Sequence, residues 1–152
     1  KIERVTTLFL MAFFIPLFSS EILKKILFKR FKGTERPDGA RGCDFFSIGP
    51  DGSGNPGFPS GHMSVTSGVC ILYILFLIKS PDFAETYSVR KRILLICLNI
   101  VAIILMAWAR HYKKCHNFVQ IIGGIVLGSF TAALIFSFKN INKIDLNHYL
   151  FN

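Results

Sequence analysis

Hydrophobic residues in this chain are gathered into four long blocks, and the stretches between the blocks are polar, charged or rich in glycine. The blocks lie at residues 5–19, 63–78, 93–109 and 118–138. A helix that crosses a lipid bilayer needs about 20 mainly apolar residues, and each block comes near that length. The pattern therefore predicts an all-α, multi-pass transmembrane bundle with about four spanning helices.

The first block is not typical of a cleaved signal peptide. A basic helical extension, residues 21–31, follows it, and no convincing small-residue cleavage site is present. The chain has 152 residues, of which 51% are hydrophobic, and this length predicts one membrane domain, residues 1–152. Because the chain begins with Lys1 and not with methionine, we expect it to be a fragment or a processed form.

Basic residues dominate the charge, and the formal net charge is +9. A single basic surface would indicate a nucleic acid or an anionic membrane as the partner, but here the cations flank the apolar blocks. Anchoring of helix ends at the membrane interface explains most of them, and it predicts a bilayer as partner and no nucleic acid. The residues assigned to this anchoring are Lys24, Lys25, Lys79, Arg90, Lys91, Arg92 and Lys139.

The four cysteines are Cys43, Cys70, Cys97 and Cys115, and no two of them form a Cys-x-x-Cys pair. Two of the four lie inside apolar blocks. This distribution indicates neither a zinc site nor a disulfide framework.

Residues 32–58 contain seven glycines and three prolines, which predicts a long loop. A loop of this length inside one domain is usually functional, so we expect an active-site loop here. Pro59 suits the first position of the second spanning helix, and the link at residues 111–115 leads to His116 at the start of the fourth. Two spans separate these helix starts, so both should lie on one membrane face, together with the end of the first helix.

Three short motifs lie on that predicted face: Lys29-x6-Arg36-Pro37, Pro59-Ser60-Gly61-His62 and Arg110-x5-His116. In this order they resemble the type 2 phosphatidic acid phosphatase (PAP2) superfamily. The resemblance implies a helical fold shared with the vanadium-dependent haloperoxidases, and relatives usually carry more than four spanning helices. A soluble haloperoxidase is the weaker interpretation, because this chain has spanning helices.

The three motifs supply positive charge and hydrogen-bond donors. Phosphoryl transfer needs both, because its transition state spreads negative charge over the phosphate oxygens. Lys29, Arg36 and Arg110 are the candidate phosphate clamp, since guanidinium groups bind phosphate in a bidentate manner and lysine adds a point charge. Ser60 and Gly61 add donors at a predicted helix N-terminus.

The two motif histidines are the candidate catalytic groups. The resemblance implies that His116 is the nucleophile and forms a phosphohistidine. It also implies that His62 is the general acid, which protonates the leaving group and then activates water. The cations would neutralise the charge that a magnesium ion neutralises elsewhere, so no metal and no other cofactor is expected.

The third motif departs from the family pattern at two positions: Ala109 stands in place of serine and Gln120 in place of aspartate. The family's aspartate, four residues after the nucleophile, accepts a hydrogen bond from the ring nitrogen that does not react. Gln120 is the candidate for this orienting role, but it brings no negative charge. We therefore expect reduced activity, and we expect Gln120→Asp to raise turnover.

Two classes of function follow. The first is a metal-independent membrane phosphatase that hydrolyses a phosphomonoester or diphosphate of a lipid, of the phosphatidic acid or isoprenyl diphosphate type, through a phosphohistidine. The alternative is a catalytically impaired PAP2 relative that binds a phosphorylated lipid or a protein partner. A sugar phosphate substrate also stays open, because the sequence does not reveal the specificity pocket.

Overall fold

The computed structural model describes residues 2–31, 33–40, 43 and 55–149, and their side chains except those of residues 2–4, 29 and 139–149. The described part of the chain forms five α-helices. They are α1 (Ile2–Ile22), α2 (Gly61–Lys79), α3 (Pro81–Thr86), α4 (Val89–Tyr112) and α5 (Phe118–Tyr149). α1 continues into a π-helical segment, Leu23–Leu27, and then into a 3₁₀ turn, Phe28–Arg30.

Four helices are long and apolar enough to cross a membrane. Their spans are Val5–Leu27, Gly61–Lys79, Val89–Tyr112 and Phe118–Phe138. This confirms the predicted all-α, multi-pass bundle with four spanning helices. One helix start differs from the prediction: Ser60 is the N-cap of α2, so Pro59 precedes the helix and does not occupy its first position.

α2 lies at the centre of the bundle, where it contacts α1, α4 and α5. Half of its most apolar stretch is buried inside the protein, whereas none of the most apolar stretch of α4 is. Large apolar side chains along α4, such as Leu94, Leu98 and Leu105, are exposed. An apolar face of this size suits lipid tails and not water.

α2 and α5 pack closely because glycines of α5 face the backbone of α2. A Cβ atom added at Gly124 would lie 2.6 Å from the Ser60 carbonyl oxygen, which is too close for a real side chain. A Cβ atom at Gly128 would also collide with α2, against the Ser67 hydroxyl. Small residues let spanning helices approach in this way.

The apolar core lies in the half of the bundle that is nearer to α3. It consists of Ala12, Leu72, Phe76, Ala132, Ile135 and Phe136. α3 joins α2 to α4 at that end. At the opposite end, the turn after α1, the start of α2, the end of α4 and the start of α5 come together. We call this end, residues 28–31, 33–40, 43, 55–62 and 109–120, the motif face.

Candidate active site

His116 lies in the link between α4 and α5, two residues before α5 begins. The Arg110 carbonyl oxygen accepts hydrogen bonds from the backbone N–H groups of Cys115, at 3.0 Å, and of His116, at 3.4 Å. Lys114 turns the chain with a positive φ of 55°. The end of α4 therefore fixes the backbone that carries His116, and the His116 side chain is only 1% exposed.

Gln120 forms a reciprocal cap with Asn117 at the start of α5. The Gln120 N–H donates to Asn117 Oδ1 at 2.9 Å, and the Asn117 N–H donates to Gln120 Oε1 at 3.2 Å. This is the geometry of a capping box, which satisfies two backbone donors that the helix leaves unpaired. The cap also fixes which end of the Gln120 amide is oxygen, because a backbone N–H must donate to it.

The nitrogen of the same amide group holds the loop that follows α1. Gln120 Nε2 donates to the Thr34 carbonyl oxygen at 3.1 Å and to the Glu35 carbonyl oxygen at 2.8 Å. These acceptors require a donor, so they assign the amide nitrogen independently of the cap. One side chain therefore joins the start of α5 to the loop.

The position of the Gln120 oxygen determines the tautomer of His116. His116 Nδ1 lies 3.2 Å from Gln120 Oε1. An amide oxygen only accepts hydrogen bonds, so Nδ1 must carry the proton and donate it. Nε2 then keeps its lone pair, which is the form that a nucleophilic imidazole needs.

The surroundings of His116 also keep the ring neutral. Burial lowers the pKa of His116 to about 3, and the positive charges of Arg36, Lys24 and Arg110 act in the same direction. The hydrogen bond to Gln120 opposes this effect. At neutral pH the ring therefore needs no base to make its Nε2 lone pair available.

The loop after α1 is closed at its base by a short antiparallel pairing, in which Glu35 bridges to Pro56. The Arg36 N–H donates to the Asn55 carbonyl oxygen at 2.9 Å, and the Gly57 N–H donates to the Thr34 carbonyl oxygen at 2.7 Å. This pairing brings Arg36, which is 4% exposed, toward the start of α5.

Gly57 leaves room for the contact between this loop and α5. A Cβ atom at Gly57 would lie 2.8 Å from both amide atoms of Gln120 and 2.9 Å from Arg36 Cγ. Any side chain at this position would therefore push Gln120 and Arg36 apart. Glycine is required here by the close approach and not by an unusual backbone angle.

The N-terminus of α2 lies beside Gln120, because the Ser60 N–H donates to the Gln120 carbonyl oxygen at 3.0 Å. The Ser60 side chain does not cap its own helix. Its hydroxyl is buried and has no hydrogen-bond partner among the described groups. Buried Gly61 and half-buried His62 follow. A helix N-terminus of this kind offers backbone N–H groups to an anion.

Arg110 is held between the end of α4 and the loop. It is 7% exposed, and its Nη2 donates to the Cys43 carbonyl oxygen at 2.7 Å. Cys43 is in turn disulfide-bonded to Cys115, with a Cα–Cα distance of 5.4 Å. The expectation of no disulfide was wrong. The bond fastens the loop to the residue immediately before His116.

A scan against protein-family models matches residues 6–144 to the PAP2 superfamily. The chain belongs to the PAP2 superfamily. Members are generally phosphatases, so the family indicates a phosphatase-type function, and with four spanning helices this PAP2 protein is an integral, multi-pass membrane protein. No curated protein and no solved structure matches it.

Most of the candidate site residues of this PAP2 protein lie together on the motif face. Contacts described above link Arg36, Ser60, Arg110, His116 and Gln120, and Gly61 follows Ser60 directly. The His62 ring lies within electrostatic range of Arg110, Lys24, Arg36 and Lys113. For Lys29, the backbone lies in the 3₁₀ turn Phe28–Arg30 and the side chain is outside the described part.

Lys24 differs from the sequence-based expectation. It was assigned to anchoring at the membrane interface, but it is 6% exposed, paired with Glu21, and close enough to act on His116. The sequence signal for this ion pair is the spacing of Glu21 and Lys24, which lie three residues apart on a helix. The sequence signal for the disulfide is that Cys43 and Cys115 both lie outside the spans, on the motif face.

We expect reduction of the disulfide to lower turnover of this PAP2 protein about tenfold or more, because small displacements of a catalytic group are costly. Activity measured before and after treatment with a phosphine reductant tests this. The double variant Cys43→Ala/Cys115→Ala should show the lower rate without reductant. Cys97→Ala is the matched control, since Cys97 is an exposed free thiol on α4. Equal rates for the double variant and the wild type would show that the bond does not position His116.

Proposed function

We propose that this PAP2 protein hydrolyses a phosphomonoester or diphosphate of a membrane lipid through a phosphohistidine on His116. The observation that carries the proposal is the buried, neutral His116, whose Nε2 keeps its lone pair while the charges of Arg36, Lys24 and Arg110 act on the ring. A neutral imidazole beside two guanidinium groups and an ammonium group suits attack on a negatively charged phosphoryl group. The proposed substrates are of the phosphatidic acid or isoprenyl diphosphate type.

In the first step, His116 Nε2 forms a bond to phosphorus while the bond between phosphorus and the leaving oxygen breaks. His62 enters this step as the imidazolium, a form that the negative charge of the bound phosphate stabilises, and it gives its proton to that oxygen. Arg36 and Arg110 stabilise the charge on the other phosphate oxygens, and Lys29 joins them by its place in the motif. The Ser60 hydroxyl and the N–H groups at the start of α2 supply further donors.

In the second step, water attacks the phosphohistidine. His62, now neutral, takes a proton from the water, and the bond between phosphorus and Nε2 breaks. Inorganic phosphate leaves, and His116 returns to the neutral tautomer held by Gln120. The same cations serve both steps, because both transition states carry their charge on the same oxygens.

A lipid substrate is supported by the position of the site at the ends of the four spans. The span of α1 ends at Leu27, the span of α2 begins at Gly61, and the two later spans end and begin around His116. Exposed aromatic residues lie at the same level, among them Phe31, Tyr112 and Phe118. Aromatic side chains gather at the headgroup level of a bilayer. A lipid headgroup would therefore meet the cations without leaving the membrane.

Phosphate release by the purified protein tests the proposal. We expect turnover in detergent with EDTA on a panel containing phosphatidic acid, a polyprenyl diphosphate and a sugar phosphate, with a preference for the lipids. The catalytic control is His116→Ala. Activity on the sugar phosphate alone would overturn the lipid assignment.

The neutral side chain of Gln120 is the observation that favours the second candidate, a relative that binds phosphorylated lipid without hydrolysing it. This candidate predicts saturable binding of the same lipids and no phosphate release. Binding without turnover across the panel would therefore replace the phosphatase proposal with a binding function.

A further inference from the structure

Lys24 is a buried cation that belongs to none of the three motifs. It lies in the π-helical segment Leu23–Leu27 and is 6% exposed, whereas its neighbour Lys25 is exposed. Its ammonium group forms an ion pair with Glu21, one turn earlier on α1. Burying a lysine is costly, and membrane-interface lysines normally extend their charge into water. The position of Lys24 therefore needs an explanation other than anchoring.

The Lys24 ammonium group lies against the N-terminus of α2. A Cβ atom added at Gly61 would meet the Ser20 hydroxyl at 3.1 Å, Lys24 Nζ at 3.4 Å and Glu21 Oε1 at 3.7 Å. The absence of a side chain at Gly61 thus lets α1 approach α2 and brings the lysine over the helix start. The N-terminus of a helix is itself positive, so Lys24 lies beside a like charge, and the Glu21 carboxylate balances the ammonium group when no other anion is bound.

Two further cations, Arg36 and Arg110, lie near the N-terminus of α2. The charge of Lys24 acts on both His62 and His116, as do those of Arg36 and Arg110. Three buried cations and a helix N-terminus therefore surround one point, and this arrangement attracts an anion. The buried hydroxyl of Ser60, with no hydrogen-bond partner among the described groups, lies at the same helix start. An unpartnered buried hydroxyl at a helix N-terminus, beside a buried ammonium group, points to a bound anion.

We propose that Lys24 is a phosphate-binding residue that contacts a phosphoryl oxygen at the N-terminus of α2. This inference rests on the proposed function, because it names a further cation of the same site. Glu21 keeps the ammonium group in place when no anion is bound. The π-helical segment is consistent with this role, since such turns occur frequently at functional sites.

Binding of inorganic phosphate to the purified full chain, measured by calorimetry in phosphate-free detergent buffer, tests the proposal. We expect Lys24→Met to raise the Kd for phosphate at least tenfold. Lys25→Met is the matched control, since it removes the same charge from the exposed neighbour, and its Kd should stay within twofold of the wild type. Lys24→Gln, which keeps a polar side chain, should also lose at least tenfold in affinity and serves if Lys24→Met does not fold.

A purely structural ion pair predicts a different result. In that case, Lys24→Met and Lys24→Gln would lower the unfolding temperature but leave the Kd for phosphate unchanged, and the proposal would be overturned. Absence of saturable phosphate binding by the wild type would overturn it as well. Lys24-dependent phosphate binding without release of phosphate from any lipid would support the role of Lys24 while removing the proposed phosphatase activity.

Discussion

Phosphate release is expected to fall at least about 10⁴-fold in His116→Ala, because this change removes the nitrogen that attacks phosphorus. Binding of inorganic phosphate should persist, since Arg36 and Arg110 remain. The matched control is His111→Ala: this exposed histidine stacks on Phe118 with ring centroids 4.3 Å apart. Substantial residual turnover in His116→Ala would mean that another group is the nucleophile.

The intermediate itself provides a sharper test of the two histidine roles. p-Nitrophenyl phosphate has a leaving group that needs no proton, so His62→Ala should still transfer phosphate to His116 from this substrate. The second step should then be slow, because no base activates water. Quenching in alkali, where phosphohistidine is stable, should trap a phosphorylated protein. A phosphoryl group found on any residue other than His116 would contradict the mechanism.

Turnover is expected to fall roughly 10² to 10⁴-fold in Gln120→Met, by comparison with loss of the orienting carboxylate in serine proteases. Methionine has a similar size but offers no oxygen to His116 Nδ1 and no N–H to the loop. The ring can then adopt the other tautomer, and two carbonyl oxygens lose their donor. The measurement is kcat on the preferred lipid, and kcat should fall more than affinity for inorganic phosphate does.

Gln120→Asp is now expected to lower turnover, and not to raise it as the sequence suggested. The sequence-based expectation considered only the bond to His116. Aspartate is shorter, cannot donate to the Thr34 and Glu35 carbonyl oxygens, and would place a negative charge beside them. A gain in turnover for Gln120→Asp would show that the link between Gln120 and the loop is unimportant.

Gln120→Glu separates the charge from the length of the side chain. The carboxylate beside Nδ1 would stabilise the protonated ring and raise the pKa of His116. His116 would then be protonated, and unable to attack, at higher pH than in the wild type. The acid limb of kcat/KM should therefore move toward neutral pH in Gln120→Glu but not in Gln120→Met. A residue with a purely structural role would not shift this limb.

The spans and the common face of the three motifs were predictable because they depend on local properties of the chain. The length of an apolar block sets a span, and the number of spans between two motifs sets their side of the membrane. The partners of Gln120 depend instead on contacts between distant segments. Its amide nitrogen reaches Thr34 and Glu35, which lie 86 and 85 residues away. No local sequence pattern predicts such a long-range contact.

Besides these long-range contacts, the sequence did not reveal which lysine side chains are buried. Lys24 and Lys25 are adjacent lysines in the same basic stretch, and hydropathy treats them alike. They differ because Lys24 lies on the side of its helix that meets α2, where Gly61 leaves space. The same limit applies to cysteine pairing, since four cysteines allow several connectivities and only the fold selects one.

The Cys43–Cys115 bond has a consequence for the compartment that the site faces. Disulfides form and persist in the periplasm, in the secretory lumen and outside the cell, whereas cytosolic thiols are kept reduced. Both cysteines lie on the motif face, so we infer that this face is exposed to the oxidising compartment and that α3 lies on the cytosolic side. Phosphate cleaved from a lipid would then be released outside the cytosol, and a cell would need a transporter to recover it.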